Sequence, residues 1–201
     1  MKRVFITGAN NGIGFETAKQ LAELGYNVYI GSRDKSKGLE AVEKLKASGL
    51  TEVDCIEIDV TDIRSIASAK QELENKTPCL DILINNAGIA GKQPQYISAG
   101  EIENLREVFE TNFFGAVQTT QQFIGLLKRS SGPRIINVSS HLSSLTVHGS
   151  SHNPNHRIYD AYSSSKTALN AFTVLLAKEF QDTNFKINSV APGYTATSLN
   201  Q

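Results

Sequence analysis

The chain has 201 residues, 40% of them hydrophobic, and its 20 basic residues balance its 20 acidic residues. The length indicates one domain of residues 1–201, and the balanced charge argues against binding to nucleic acid or an anionic membrane surface. No apolar run reaches the roughly 20 residues of a membrane span, two cysteines are too few for a disulfide framework, and the first predicted strand follows Arg3 too closely for a signal peptide. We therefore expect a soluble, cytoplasmic protein.

The first predicted unit is a strand, a glycine-rich loop and a helix, at residues 4–6, 8–14 and 15–24. Loop amides and a helix N-terminus in this order hold a pyrophosphate group. We expect the first glycine to allow a tight turn, the second a close approach of the phosphates, and the third the packing of the helix on the strand. The cofactor contacts predicted in this loop are Gly8, Asn10, Asn11, Gly12, Ile13 and Gly14.

The second predicted strand, at residues 27–31, is followed by Ser32, Arg33 and Asp34. An acid at this point accepts a hydrogen bond from the free 2′-hydroxyl of NAD, whereas an arginine suits the 2′-phosphate of NADP. Arg33 can form charge-assisted hydrogen bonds to phosphate, so we predict that NADP(H) is preferred. Asp34 leaves NAD(H) possible, because its carboxylate could take the ribose instead.

The following elements alternate between helices and strands. We predict helices at 35–48 and 62–74 and strands at 53–58 and 80–84. The inward-facing residues are predicted to be Leu39, Val42 and Leu45 in the first helix and Ile63, Ile66 and Leu73 in the second. Strands that alternate with helices of roughly 10–15 residues indicate a parallel sheet with helices on both faces. The predicted fold is thus α/β, a three-layer doubly wound (Rossmann) parallel sheet.

The second half of the chain continues this alternation. After a loop at residues 89–100 we predict helices at 101–109, 112–128 and 162–180, and strands at 134–138 and 185–190. Residues 143–160 are rich in Ser, His, Asn and Pro, and are interpreted as a loop over the mouth of a site.

Tyr162 and Lys166 are four residues apart on a predicted helix and therefore face the same surface. A free tyrosine has a pKa of about 10, and lowering it to near 7 takes roughly 4 kcal/mol. A cation about 4 Å away supplies about that much at an effective dielectric constant of 20. We expect Lys166 to lower the pKa of Tyr162 if the pair lies in a partly dry cleft.

Together these motifs resemble the short-chain dehydrogenase/reductase family. They occur in the family's order and span nearly the whole chain. Residues 31–34 (GSRD) and 111–115 (TNFFG) are similar to the carbonyl reductase and retinol dehydrogenase branch. The matching motifs are residues 7–14 (TGANNGIG), Asp59-Val60, 85–88 (NNAG), Asn112, 137–140 (NVSS), 162–166 (YSSSK) and Pro192-Gly193.

The resemblance implies four catalytic residues. Tyr162 would be the general acid in ketone reduction and the base in alcohol oxidation, and Lys166 would hydrogen-bond the nicotinamide ribose. Ser140 would orient the substrate carbonyl, with Ser139 as the alternative one residue away. Asn112 would lie in a helix distortion and hold a water that links the lysine to solvent as a proton relay.

The resemblance also implies further cofactor contacts, at the adenine, its ribose, the pyrophosphate and the carboxamide. These contacts are Asp59, Val60, Asn86, Ala87, Gly88, Tyr162, Lys166, Pro192, Gly193, Thr195 and Thr197.

The expected function is an NADP(H)-dependent oxidoreductase that moves a hydride between nicotinamide and a carbonyl or secondary alcohol. The alternatives are a non-catalytic NADP(H)-binding sensor or scaffold on the same fold, and a reductase of carrier-linked acyl chains.

The chain departs from the family pattern in two ways. Ser140 and Tyr162 are 22 positions apart, whereas in many members the serine precedes the tyrosine by about a dozen residues. Carbonyl reductases often carry a longer insert at this point, so the resemblance still implies Ser140. The chain also stops at Gln201, where members usually continue, so we expect the last strand and the lid region to be missing.

Two further expectations concern ligands and assembly. His148, His152 and His156 have the spacing of one helix face, and His141 lies nearby, but Pro154 argues against a helix, so we predict no metal. The predicted helices 112–128 and 162–180 could pair with a second copy in a homo-oligomer. The insert could instead cover that surface and keep the chain monomeric.

Overall fold

The fold is built on a six-stranded parallel sheet in a computed structural model that describes residues 1–150, 159–193 and 195. The strands are β1 Arg3–Ile6, β2 Asn27–Ser32, β3 Val53–Glu57, β4 Ile82–Asn85, β5 Arg134–Val138 and β6 Lys186–Val190. Their order across the sheet is β3-β2-β1-β4-β5-β6, with parallel pairing throughout. The chain therefore crosses from one edge strand, β3, to the centre, where β4 pairs with β1.

Helices connect these strands. They are α1 Gly12–Glu23, α2 Lys35–Ala47, α3 Ile63–Lys76, α4 Ile102–Phe109, α5 Gly115–Leu127, α6 Leu145–Gly149 and α7 Asp160–Glu179. A π-helical turn, Glu110–Phe114, joins α4 to α5, and a 3₁₀ turn, His141–Ser143, precedes α6. Within the described ranges, no helix has both the length and the apolar character of a membrane span.

Two hydrophobic clusters lie on opposite faces of the sheet. One cluster packs Ala18 of α1 and Val42 of α2 against the sheet. The other packs Leu73 of α3, Phe123 of α5 and Leu176 of α7 against it. Helices thus cover both faces of the parallel sheet, the arrangement in which strands are apolar along their length. The two covered faces confirm the predicted three-layer doubly wound fold.

Two residues predicted to face inward are exposed instead. Leu39 is 45% exposed, because α2 packs through Gly38, where an added Cβ would lie 2.3 Å from the Cys55 sulfur. This close approach turns Leu39 toward solvent. Ile63 is 47% exposed, because it is the first residue of α3, directly after the capping residue Asp62.

The prediction of a loop over residues 143–160 is wrong for the short helix α6. The Ser144 hydroxyl accepts a hydrogen bond from the Val147 amide at 3.3 Å, which caps the start of α6. Residues 151–158 lie outside the described part of the chain.

Candidate active site

A cleft of about 840 Å³ lies where residues that follow β1 to β5 come together. The residues lining it include Gly8 after β1, Arg33 after β2, Asn86 after β4 and Ser140 after β5. The carboxyl ends of β1 and β4 are adjacent in the sheet although distant in the chain. Ligands of open α/β sheets bind at such a switch point.

Most of the predicted site residues line this cleft. Gly14 and Asn112 do not, and Thr197 lies outside the described residues. Those that do are Gly8, Asn10, Asn11, Gly12, Ile13, Arg33, Asp59, Val60, Asn86, Ala87, Gly88, Ser140, Tyr162, Lys166, Pro192, Gly193 and Thr195.

The loops after β1 and β4 are tied to each other. The hydroxyl of Thr7 accepts hydrogen bonds from the amides of Asn86 and Ala87, both at 3.0 Å. The Asn86 side-chain amide donates to the carbonyls of Thr7 and Gly8 at 2.9 and 2.8 Å. The side-chain amide of Asn86 thus joins the two loops at the base of the cleft, and its donors are used within the protein.

Three glycines make the first loop possible. Gly8 and Gly12 have φ angles of +63° and +57°, a left-handed conformation that L side chains rarely adopt. At Gly14 an added Cβ would lie 2.5 Å from the Asn86 side-chain nitrogen and 2.7 Å from the Gly8 carbonyl oxygen. Gly14 therefore serves close packing between α1 and the loops, which is why it does not line the cleft.

One end of the cleft presents two cations near the end of β2. Arg33 and Lys37 both line it. The Asp34 carboxylate caps α2, accepting from the Ser36 amide at 3.0 Å, the Ser36 hydroxyl at 2.6 Å and the Lys37 amide at 3.3 Å. These hydrogen bonds, led by that from the Ser36 hydroxyl, lower the pKa of Asp34. Asp34 lines this end as well, and its carboxylate lies 4.0 Å from the Lys37 ammonium. Two cations against one carboxylate leave a net positive charge, which suits an anion.

Tyr162 and Ser140 meet at the other end. The Ser140 side chain lies within reach of the phenol and favours its ionised form, and the Ser140 hydroxyl accepts a hydrogen bond from the Leu142 amide at 3.2 Å. Ser139, the alternative one residue away, directs its hydroxyl to the Ser143 hydroxyl at 3.3 Å and the Lys166 carbonyl at 3.5 Å. The geometry thus pairs Ser140, rather than Ser139, with the phenol.

Lys166 is a buried cation beside this pair. Its side-chain nitrogen lies 5.8 Å from the centroid of the Tyr162 ring and donates to the Val138 carbonyl at 2.8 Å. The residue is 3% exposed, and burial lowers its pKa to about 8. At pH 7 the side chain remains mostly protonated.

The pKa of Tyr162 is raised, which is opposite to the direction expected from the sequence. The main cause is burial, which penalises the phenolate, while the hydrogen bond with Ser140 acts in the opposite direction. The ammonium group of Lys166 points at a carbonyl oxygen instead of the phenol oxygen. Burial therefore sets the direction of the pKa shift of Tyr162, and the phenol is neutral at pH 7.

Asn112 lies behind the cleft, in the π-helical turn, and is 1% exposed. Its carboxamide pairs with the backbone of Ile89, accepting from the amide at 2.8 Å and donating to the carbonyl at 2.9 Å. It also donates to the Ser165 hydroxyl at 3.1 Å. A Cβ added at Gly88 would lie 3.1 Å from the Asn112 oxygen and 3.4 Å from the Lys166 nitrogen, so both side chains lie close to this glycine.

Several lining residues were missed in the sequence. Lys37 could have been recognised as a second cation one helical turn beyond Arg33. His141, Leu142 and Tyr159 line the cleft near Ser140 and Tyr162, but they carry no motif that would mark them. In the described ranges, no cluster of three or more His, Cys, Asp or Glu residues could hold a metal ion.

Comparison with known proteins places this chain beside dehydrogenases and reductases. A family model described as short chain dehydrogenase matches residues 2–201. The (+)-neomenthol dehydrogenase of Capsicum annuum is 34% identical over 265 aligned positions, which cover 97% of this chain and 84% of that protein.

Solved structures agree with this likeness. Salutaridine reductase from Papaver somniferum superimposes with a TM-score of 0.87 at 30% identity, covering 100% of this chain and 89% of that one. A gluconate 5-dehydrogenase from Burkholderia cenocepacia J2315, solved in complex with NADP and tartrate, gives a TM-score of 0.87 at 26% identity, with 100% and 74% covered.

Proposed function

The chain belongs to the short-chain dehydrogenase/reductase family of oxidoreductases, and from this we propose that it is an NADP(H)-dependent enzyme that transfers a hydride between nicotinamide and a carbonyl or secondary alcohol. We assign residues 1–201 to a single NAD(P)-binding domain. The observation that carries the proposal is that Tyr162 and Ser140 share one cleft with the glycine loop and the buried Lys166.

Tyr162 and Ser140 are suited to act on a substrate oxygen. Two hydroxyl groups that face one cleft can both hydrogen-bond a carbonyl oxygen placed between them. Burial keeps the pKa of Tyr162 above its usual value, so the phenol carries a proton at pH 7. In ketone reduction Tyr162 donates this proton to the carbonyl oxygen, while Ser140 orients the carbonyl.

Lys166 then stabilises the phenolate that proton donation leaves. Its pKa of about 8 keeps the ammonium form in the majority at pH 7, and a nearby cation favours a phenolate in a poorly solvated site. In alcohol oxidation the same phenolate is the base that takes the hydroxyl proton. Lys166 is also the residue we assign to the nicotinamide ribose.

Asn112 is assigned to a proton relay between Lys166 and solvent. Support comes from Gly88, which both the Asn112 oxygen and the Lys166 nitrogen approach closely. The π-helical turn that carries Asn112 interrupts the regular helical hydrogen-bond ladder, and such turns occur frequently at functional sites.

The described residues fit an NADP(H) molecule, which supplies or accepts the hydride when bound. Glycines with positive φ open the loop at the helix N-terminus to a pyrophosphate. Arg33 and Lys37 suit a 2′-phosphate, whereas the Asp34 carboxylate is engaged in capping α2. NADP-bound relatives of this fold support the same choice, with NAD(H) as the weaker ligand.

The assembly proposed for the chain is the homo-oligomer. Val174 and Leu175 of α7 are 68% and 67% exposed, and Phe114, the last residue of the π-helical turn before α5, is 46% exposed. Exposed apolar side chains on α7 and next to α5 support pairing with a second copy over the monomer.

The proposal is tested by measuring oxidation of NADPH and of NADH with a panel of cyclic and open-chain ketones and aldehydes. We expect turnover with NADPH and less with NADH. Tyr162→Phe should lower kcat by about 100-fold or more, since general acid catalysis contributes roughly that much. Its dissociation constant for NADPH should stay within about twofold.

A control for this substitution is Tyr96→Phe, because Tyr96 is 48% exposed and does not line the cleft. It should leave kcat unchanged. Unaltered turnover in Tyr162→Phe would refute the proton-donor role. Tight NADPH binding without turnover on any carbonyl would favour the non-catalytic sensor or scaffold instead.

A further inference from the structure

The segment after β4 runs past the cleft and then along the first turn of α7. Ile89 and Ala90 line the cleft. Further along, Gln95 forms a parallel bridge with Tyr159, and the Ile97 amide donates to the Asp160 carboxylate at 3.4 Å. One wall of the cleft and the helix that carries Tyr162 are therefore in direct contact.

Gln95 makes two hydrogen bonds that link these two parts. Its side-chain amide donates to the Ala90 carbonyl at 2.5 Å, and its side-chain oxygen accepts from the backbone amide of Tyr162 at 3.1 Å. The residue is 3% exposed. A buried carboxamide whose donor and acceptor are both used fixes the distance between the groups that it joins.

The Tyr162 amide needs such an acceptor. It lies in the first turn of α7, where backbone amides have no partner within the helix. The first intrahelical bond runs from the Ser163 amide to the Tyr159 carbonyl at 2.7 Å, and the capping position, Tyr159, contributes no side-chain cap. Gln95 thus provides from another segment the acceptor that a Ser, Thr, Asp or Asn cap supplies in other helices.

Two asparagines hold the same segment in place. Asn104 pairs with the backbone of Lys92, accepting from the amide at 2.8 Å and donating to the carbonyl at 3.0 Å, as Asn112 does with Ile89. At Gly91, between these pairs, an added Cβ would lie 2.9 Å from the Gln95 nitrogen and 3.0 Å from the Asn104 oxygen. The segment is therefore anchored at Ile89, at Ala90 through Gln95 and at Lys92 before it reaches α7.

From these contacts we propose that Gln95 is a positioning residue for Tyr162, which joins the Ala90 wall of the cleft to the first turn of α7 and so sets where the phenol stands. This inference rests on the proposed function, since it concerns the proton donor of that reaction. Gln95 acts through the backbone and does not itself touch the substrate oxygen. The titratable side chains that line this end of the cleft with the phenol are Lys166 of α7, Tyr159 directly before α7 and His141 of the 3₁₀ turn after β5, while Ser140 provides a neutral partner.

The test compares Gln95→Met, which keeps the bulk of the side chain and loses both hydrogen bonds, with Gln93→Met. Gln93 lies on the same segment, is exposed and does not line the cleft. We expect Gln95→Met to lower kcat by about 10- to 100-fold, the size of effect that a misplacement of about 1 Å produces. The dissociation constant for NADPH should change less than about twofold, and Gln93→Met should match the parent.

Two readouts separate positioning from a merely structural role. The solvent deuterium isotope effect on kcat should increase in Gln95→Met, because proton donation becomes slower relative to the other steps. The titration of Tyr162 in the free protein is obtained by subtracting the tyrosinate absorbance of the same protein carrying Tyr162→Phe. In Gln95→Met the pKa of Tyr162 should move toward its ordinary value, because a loosened first turn hydrates the phenol.

An unchanged isotope effect together with an unchanged titration would overturn the inference. Gln95→Asn, whose shorter carboxamide cannot span both partners, gives the same test if Gln95→Met does not fold. A parent protein without turnover on any carbonyl would refute the proposed function, and the Tyr162 titration would still decide whether Gln95 sets the environment of the phenol.

Discussion

At the scale of single residues, the site depends on keeping a charged lysine in a buried position. The pKa of Lys166 falls from 10.5 to about 8 because burial disfavours the ammonium form. Each pKa unit corresponds to about 1.4 kcal/mol, so the buried charge costs the folded protein about 3 kcal/mol at neutral pH. The buried charge thus does not stabilise the fold, which agrees with the chemical role proposed for Lys166.

The cost predicts how stability depends on pH. Between pH 8 and 10.5 the unfolded chain keeps the lysine proton that the folded protein has lost, so the free energy of unfolding rises with pH. From pH 7.5 to 10, we expect the parent to gain about 2–3 kcal/mol relative to Lys166→Met, which has no group to titrate. Urea unfolding of both proteins at the two pH values measures this difference, in which the other titrating groups cancel. Parallel pH profiles would contradict it.

The orientation of Lys166 and the burial of Tyr162 could not be predicted from the sequence, although their shared cleft could. The spacing of Tyr162 and Lys166 was enough to predict that both face one cleft, and both line it. The spacing could not tell that the Lys166 ammonium donates to the Val138 carbonyl. The direction of the pKa shift of Tyr162 depends on that orientation and on the depth of burial, which arise only from tertiary packing.

At the scale of elements, the contact between α1 and the loops after β1 and β4 is too close for any side chain. A Cβ at position 14 would lie within 2.8 Å of the Asn86 side chain and of the backbones of Gly8 and Ala9. We expect Gly14→Ala to destabilise the protein by about 1–3 kcal/mol, since inserted methyl groups cost that much in a packed interior.

A matched control for this substitution is Gly125→Ala in α5. Gly125 has open space around an added Cβ and lies inside a helix, where alanine is favoured over glycine by about 1 kcal/mol. This variant should therefore be more stable than the parent. Urea unfolding compares the three proteins, and equal effects of the two substitutions would show that backbone propensity, and not packing, governs position 14.

Elements were predicted best where a single periodicity ran through them. The helix that carries Tyr162 was expected at 162–180 and forms α7, Asp160–Glu179. The π-helical turn around Asn112 was expected only from the family resemblance, because apolar spacing does not distinguish a widened turn from a regular one. The role of Gln95 was missed because its partners, Ala90 and Tyr162, come together only through the path of the intervening loop.

At the scale of the whole molecule, the cleft is lined by loops from both halves of the sheet, so a ligand bound there stabilises the entire fold. A ligand that binds only the folded state, at 100 times its dissociation constant, adds about 2.7 kcal/mol. For a protein of this size that corresponds to a rise in Tm of roughly 5–10 °C. Thermal unfolding with NADPH should show this rise, and NADH at the same concentration should give a smaller one. An equal shift with both would contradict the assignment of Arg33 and Lys37 to a 2′-phosphate.

The strand order has a consequence for synthesis on the ribosome. β1 lies inside the sheet between β2 and β4, but residues 82–85 emerge about 80 positions later. Until then the nascent half-sheet carries the fully buried Phe5 and Ile6 on a strand with one open edge, which is a template for pairing with another chain. The emergence of β4 both closes that edge and completes the floor of the cleft, so protection from aggregation and the ability to bind a nucleotide are acquired in the same step.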